Sequence, residues 1–211
     1  MTLRNKRILI TAGPTWAPID SVRVISNIST GKTGVLLAEN LAAQGSKVTL
    51  LLGPIGAYRL NKKIKVIDFK FFDELSLLVK KELKKRYAAV IHAAAVSDYA
   101  PVPANKAKLS SSRKILRLTL KQAPKIICGL RGALSGSFLA GFKFEPGLSD
   151  DKLIKKARSL LKKAGLDLVV ANTAKNRRYA AYLVSRDKTS GCFSSKEKMA
   201  KALTGLIGKK I

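Results

Sequence analysis

Residues 25–34 read ISNISTGKTG, which gathers an asparagine, several hydroxyls, two glycines and a lysine just ahead of a helical pattern. Gly31-Lys32-Thr33 is the closing part of a Walker A loop, but the first glycine of that motif belongs five residues earlier, where Ser26 stands. A P-loop is therefore excluded. The remaining chemistry is that Asn27, Ser29, Thr30, Gly31 and Lys32 border a helix whose first N–H groups can receive an anion. The plain structural alternative is that Ser29 or Thr30 serves only as the N-cap.

Further polar groups fall where hydrophobic runs end: Gly13-Pro14-Thr15 after RILIT, Ser97-Asp98 after VIHAAAV, Lys143 and Glu145 after LAGF, and Asn172 after LVVA. Four strands delivering polar residues to one sheet edge outline a pocket. His92 is the only histidine and lies inside an apolar run, so it reads as a buried, hydrogen-bonded core residue, and no Ser-His-Asp set can be built without it. Metal-ligand spacing is missing. The G-x-G-x-x-G fingerprint is missing too, since TAGPTW has one glycine in the critical turn, which disfavours hydride transfer.

The elements that must position these residues alternate along the chain. RILIT (7–11) reads as a buried strand, followed by an irregular segment up to Thr30. Val35, Leu36, Ala38, Leu41 and Ala42 recur at helical spacing over 32–44, with Gly45 placed to end the helix. Strands follow at KVTLLLG (47–53) and KVIDF (65–69), a helix at 73–85 and a strand at AAVIHAAAV (88–96). Segment 97–114 holds Pro101, Pro103, Lys106, Lys108 and three serines, and reads as a long polar loop of the kind that forms lids. KILRLTLK is a strand, Pro124 starts a short helix, SFLAGFKF is a strand and 150–164 a basic helix. LDLVVAN, YAAYLVS and a helix over 195–207 complete the order. The pattern predicts one α/β domain over 1–211: a Rossmann-like, mostly parallel sheet flanked by helices, with a long lid loop.

Composition sets the limits. With 46% hydrophobic residues among 211, the chain can bury a core, and no apolar run approaches the roughly 20 residues of a membrane helix. The amino terminus enters a strand without a secretory pattern, so a soluble cytoplasmic protein is expected. Cys128 and Cys192 fit neither a disulfide framework nor paired metal ligands, and read as structural thiols. The 41 Lys+Arg against 13 Asp+Glu give +28, a field that attracts anions. Much of that lysine sits on helix faces such as VKKELKKR, where solvation explains it, so charge alone selects no substrate.

Several blocks together carry a family resemblance: ILITAGPTWAPIDSVRVISNISTGKTG at the start, then VIHAAAVSDYAPV, NKAKL, AGFKFE, LDLVVAN and SSKEKMAKALTGLI. The ordered T-x-G-x-T, P-I-D-x-V-R and I-S-N-x-S/T-x-G-K elements resemble phosphopantothenate-cysteine ligase over almost the whole chain. The resemblance implies that 4'-phosphopantothenate is activated by a nucleoside triphosphate with Mg²⁺, CTP in most bacterial members and ATP in animal ones. Cysteine then displaces the nucleotide. It implies a homodimer, no flavin in this chain, and a stand-alone ligase or ligase portion served by a separate phosphopantothenoylcysteine decarboxylase.

By position, the resemblance implies that Asn27 faces the activated acyl group and that backbone near Gly31 receives phosphate, with Gly13, Ser29, Thr30 and Lys32 in the same substrate loop. Asp98 would meet the nucleotide ribose or base, Ala94 and Ala95 would allow close approach, and Phe142 would pack nearby. Pro124, Lys125, Ile126 and Ile127 occupy a nucleotide-contacting turn, although Lys125 stands where many members have Asp. Lys106 matches the lid lysine, with Lys108 second. The family's triphosphate lysines, four apart, fall here on Leu160 and Ala164, with Lys162 and Lys163 beside them. Two other readings remain open: a Rossmann-like NAD(P) oxidoreductase, disfavoured by the missing fingerprint, and a basic nucleic-acid-binding module, disfavoured by 6% aromatic content and no stacking motif.

Overall fold

The computed structural model describes residues 3–103, 107–112, 114–175 and 178–211. In chain order the elements are β1 (Arg7–Ala12), β2 (Trp16–Pro18), β3 (Val24–Ser26), α1 (Lys32–Ala43), β4 (Lys47–Leu52), β5 (Lys65–Asp68), α2 (Phe72–Leu83), β6 (Ala89–His92), β7 (Tyr99–Pro101), β8 (Leu120–Gln122), α3 (Ile126–Ala133), β9 (Phe138–Phe144), α4 (Asp150–Ala164), β10 (Leu168–Lys175), β11 (Arg178–Val184), β12 (Thr189–Phe193) and α5 (Lys196–Lys210). Eight strands form one sheet in the order β12-β11-β10-β9-β6-β1-β4-β5. The strands from β5 to β10 pair in parallel, whereas β11 and β12 run antiparallel. This is the expected α/β class.

Two hydrophobic layers cover the sheet. Ile8, Ile10, Leu50 and Ile91 point to one face and meet Leu37 and Leu41 of α1 and Leu203 and Ile207 of α5. Leu9, Leu51 and Val90 point to the other and meet Leu75 of α2, Leu130 of α3 and Leu153 of α4. Alternate residues of one strand thus feed opposite layers, which is why the central strands read as unbroken apolar runs. In α1 the fully buried leucines are Leu37 and Leu41, while Leu36 is only partly buried. Between β4 and β5 no helix forms; Ile55 and Leu60 of the connecting loop pack on the α1 layer in its place.

Several sequence expectations are corrected. The run 88–96 is a strand only to His92, and of KILRLTLK only Leu120 and Lys121 enter a strand, β8, which pairs with β7 in a small separate sheet. The irregular segment up to Thr30 contains the β2–β3 hairpin, and the antiparallel edge strand β12 was not foreseen. Three-residue strands carry too few alternations to register as a pattern. Cys128 and Cys192 are both free and exposed, so neither is a buried structural thiol.

At the amino edge of the sheet, polar side chains close upon the protein itself. Tyr87 donates to buried Glu82 and, at 3.2 Å, accepts from Thr49 Oγ1, while Lys85 also pairs with Glu82 at 2.5 Å and Arg7 lies 5.1 Å over the Tyr87 ring. Arg131 donates to the carbonyls of Gly165, Leu134 and Ser137 and to Asp167, which in turn accepts from Leu139 N at 2.7 Å.

Candidate functional site

From β1 the chain goes to α1 and β4 on one side, and from β5 it returns through α2 to β6 on the other. The strand order therefore reverses between β1 and β6, and in open α/β sheets a crevice opens outside the carboxyl ends at such a point. Here the two strands stay bonded past their ends. Ala93 N donates to Thr11 O (3.0 Å) and Ala95 N to Gly13 O (2.8 Å), and the side chain of Thr15 accepts from Ser97 N (2.9 Å). Thr11 Oγ1 accepts from Ala94 N (3.2 Å) and contacts His92 Nδ1 at 2.9 Å. His92 is thus the buried, bonded histidine anticipated; burial pulls its pKa down to about 4, so it is neutral near pH 7.

Across this paired floor lies the loop 25–34. The β2–β3 hairpin turns the chain back, Ser26 Oγ donates to Thr15 O at 3.2 Å, and Asn27 Nδ2 donates to the carbonyls of Ala95 (3.1 Å) and Val96 (3.0 Å). Asn27, Ala94, Ala95 and Gly13 are therefore brought together. Both amide protons of Asn27 are spent on the floor, which leaves its Oδ1 as the side chain's remaining hydrogen-bonding capacity.

Helix α1 starts on Gly31, not on Ser29 or Thr30. Gly31 is the N-cap at φ +67°, a left-handed conformation, and no side chain caps the helix. Ser29 Oγ and Thr30 Oγ1 make only long contacts, 3.4 Å to Gly31 N and 3.5 Å to Lys32 N. Those first-turn N–H groups accordingly lack the usual strong side-chain acceptor. Gly34 went unnoticed in the sequence: a Cβ there would stand 2.3 Å from that of Ala12, so its absence lets α1 press onto β1. A glycine three residues into a helix that follows a strand was the available signal.

Asp98 and Lys125 form an ion pair on the opposite lip, both about half exposed. Lys125 is the N-cap of α3, and Pro124 and Ile126 flank it at the same lip. Ile127 departs from expectation: it is buried, and a Cβ on Gly141 would lie 2.6 Å from its Cδ1, so its side chain belongs to the core. Phe142, on β9, is partly buried against the α1 layer. Past β9, Glu145 bridges Lys143 (2.8 Å) and Lys156 (2.9 Å), and these lysines, Lys143 foremost, lower its pKa.

Lys32 points away from the floor to Glu197 at the start of α5, 2.7 Å distant. That pair raises the lysine and draws the Glu197 carboxyl down to about 2. Lys163 is not brought to this edge at all. It lies in the last turn of α4, beside the Gly165–Asp167 connection that enters β10 from the amino edge. Lys152 and Lys156, four apart and in the half of α4 nearer the strands' carboxyl ends, line a shallow surface cavity of about 340 Å³ and went unselected in the sequence. Lys108 is exposed next to Leu109, and Lys106 lies outside the described residues. Asn172 Oδ1, Thr173 Oγ1 and Tyr179 Oη, near the same edge, are buried without a partner among the described residues.

A family model described as the DNA/pantothenate metabolism flavoprotein C-terminal domain matches residues 3–210. The chain is similar to the coenzyme A biosynthesis bifunctional protein CoaBC of Thermococcus kodakarensis, 39% identical over 192 residues covering 88% of this chain and 46% of that protein. It is 31% identical over 211 residues to the CoaBC of Methanocaldococcus jannaschii, covering 97% and 51% respectively. The crystal structure of the DNA/pantothenate metabolism flavoprotein from Streptococcus pneumoniae matches with a TM-score of 0.89 at 28% identity, covering 98% of this chain and 100% of that one. The chain spans about half the length of the curated relatives it matches. A model match from residue 3 to residue 210 settles the family: the chain belongs to the DNA/pantothenate metabolism flavoprotein C-terminal domain family.

Proposed function

We propose that this chain joins 4'-phosphopantothenate to cysteine in coenzyme A biosynthesis, by way of an acyl nucleotidylate. The observation that carries this reading is the brace of Asn27 on Ala95 and Val96, which lays the substrate loop over the switch-point crevice of a coenzyme A family domain. In the first step a carboxylate oxygen attacks the α-phosphorus of the triphosphate and pyrophosphate leaves. In the second, the cysteine amine attacks the acyl carbon and the nucleoside monophosphate leaves.

The chain's own residues bind and orient. The α1 N-terminus at Gly31 suits a phosphate, because its N–H groups lack strong side-chain acceptors. Asp98 suits a ribose hydroxyl or a base amine once it shares or releases Lys125. Asn27 Oδ1 suits an N–H of the attacking amine, since donation from Nδ2 would require releasing a floor carbonyl. Lys106, by the family resemblance, and Lys108, two positions further along the chain, are the lysines suited to the charge of the departing pyrophosphate.

Magnesium fits as an ion carried by the triphosphate. Among the described residues no three His, Cys, Asp or Glu side chains converge, and a Mg²⁺ held by the triphosphate's own oxygens and by water asks little of the protein. When bound it neutralises phosphate charge. We take CTP as the nucleotide, on the bacterial style of ISNISTGK. A homodimer is supported by exposed Tyr99, Val102, Ile115, Leu116, Leu118 and Leu120 on and beside the β7–β8 ribbon. The product calls for a decarboxylase, consistent with the relatives' bifunctional names. Incubation with 4'-phosphopantothenate, cysteine, Mg²⁺ and either CTP or ATP should release pyrophosphate and form the amide. No amide with either nucleotide would end this reading, and a faster rate with ATP would end the choice of CTP.

A further inference from the structure

Asp20 lies in the turn of the β2–β3 hairpin, and its side chain is fully buried. One carboxylate oxygen accepts from Val22 N and Arg23 N, each at 2.8 Å, which fixes the turn that leads to Asn27. The other accepts from Leu109 N at 3.1 Å, 89 residues further along the chain. Arg23 completes the contact by donating to Leu109 O at 2.9 Å, with its Nε 3.6 Å from Asp20. Both backbone polar groups of a single loop residue are therefore held by one acid and one base from the hairpin. These N–H groups, that of Val22 above all, keep the carboxyl below its ordinary range, so it is charged at neutral pH.

The long polar segment is closed at its base by β7–β8, where Val102 N donates to Thr119 O at 2.9 Å. Asp20 and Arg23 pin it again at Leu109, next to Lys108. A second tether divides one long connection into two shorter spans, which lowers the entropy cost of holding Lys108 and Leu109 in place. Because the same carboxylate shapes the turn before Asn27, it sets the spacing between the Lys108 backbone and the substrate loop.

We propose that Asp20 is a positioning residue: it registers the Lys108–Leu109 segment against the hairpin that carries Asn27, and so governs how the triphosphate is held. This rests on the ligase reading above. Asn at position 20 separates its two functions. Its Oδ1 can still accept from Val22 and Arg23, but its amide would set a donor against the Leu109 N–H.

In Asp20→Asn, hydrogen-exchange protection of the Leu109 amide should fall about tenfold or more, the worth of a charge-assisted hydrogen bond. The KM for the Mg²⁺ triphosphate should rise by about the same factor, with the KM for cysteine nearly unchanged and the melting temperature lowered by no more than several degrees. Unchanged Leu109 exchange, an unchanged triphosphate KM, or a parallel rise in every KM with a lowered melting temperature would overturn the proposal. Should Asp20→Asn fail to fold, Leu109→Pro removes the loop N–H, together with the leucine side chain, while leaving the bonds of Asp20 to Val22 and Arg23 in place, and must reproduce the triphosphate defect for the proposal to stand. A wild-type protein without turnover would sink the ligase reading instead; the Leu109 exchange and pyrophosphate affinity of Asp20→Asn would then decide the latch.

Discussion

The two edges of the sheet handle polar groups in opposite ways. At the amino edge, Glu82, Tyr87 and Thr49 are buried and bonded to one another, and Arg131 spends its donors on three carbonyls and Asp167. At the carboxyl edge, Asp98–Lys125 and Lys32–Glu197 are exposed pairs, α1 begins without a strong side-chain cap, and buried atoms of Asn172, Thr173 and Tyr179 lack partners among the described residues. Groups saturated by the protein contribute to stability and offer nothing to a ligand. Groups left loosely paired contribute little to stability and can be taken over by a substrate. Substitutions at the two edges should accordingly separate stability from activity.

The strongest test of that contrast is Asn27→Ala, expected to lower the rate about 10²- to 10³-fold, the usual cost of losing one transition-state contact. Intermediate should accumulate in single-turnover assays, because the cysteine step suffers more than activation. A fully active variant would break the contrast at its centre.

His92 is a carboxyl-edge group that should behave like the amino edge, since it is buried and bonded to Thr11. The unfolded chain takes up a proton near pH 6.5, whereas the folded imidazole waits until about pH 4. Its contribution is thus complete above pH 6.5 and declines as pH falls to 4, by on the order of 3 kcal/mol. Denaturant titrations should show this slope in the wild type and its loss in His92→Gln. Equal slopes would mean that His92 is not held neutral.

Arg131→Ala should cost about 2–3 kcal/mol, because the carbonyls and Asp167 it serves lose a charged donor. Melting would fall by several degrees while kcat at a permissive temperature stays the same. A loss of activity without a loss of stability would reverse the assignment of the edges.

Lys125→Ala should do the least: stability within about 0.5 kcal/mol, and a triphosphate KM raised about two- to fivefold, as exposed ion pairs allow. A large fall in melting temperature would show this lip to be structural.

Much was legible in the sequence because it is local. Apolar runs of the length of RILIT and KVTLLL, and the spacing in 150–164 between acidic Asp150 and Asp151 and the left-handed Gly165, determine elements through periodicity and end signals that need no partner. The helix 150–164 falls exactly where the pattern puts it. The order of strands and helices likewise determined the α/β class and the edge where polar loops would meet. What the sequence could not determine is contact across the fold. That Gly31 caps α1 depends on the conformation of its backbone, and that Gly34 must lack a side chain depends on where Ala12 sits. The same holds for Ile127, drawn inward by the space over Gly141, and for Lys163, placed at the amino edge by the direction of α4. Asp20 and Leu109 meet across 89 positions, and Asn27 and Val96 across 69. Only tertiary structure decides such pairs, because hydrogen bonds act over about 3 Å and nothing in one segment's pattern records which distant segment comes within that reach.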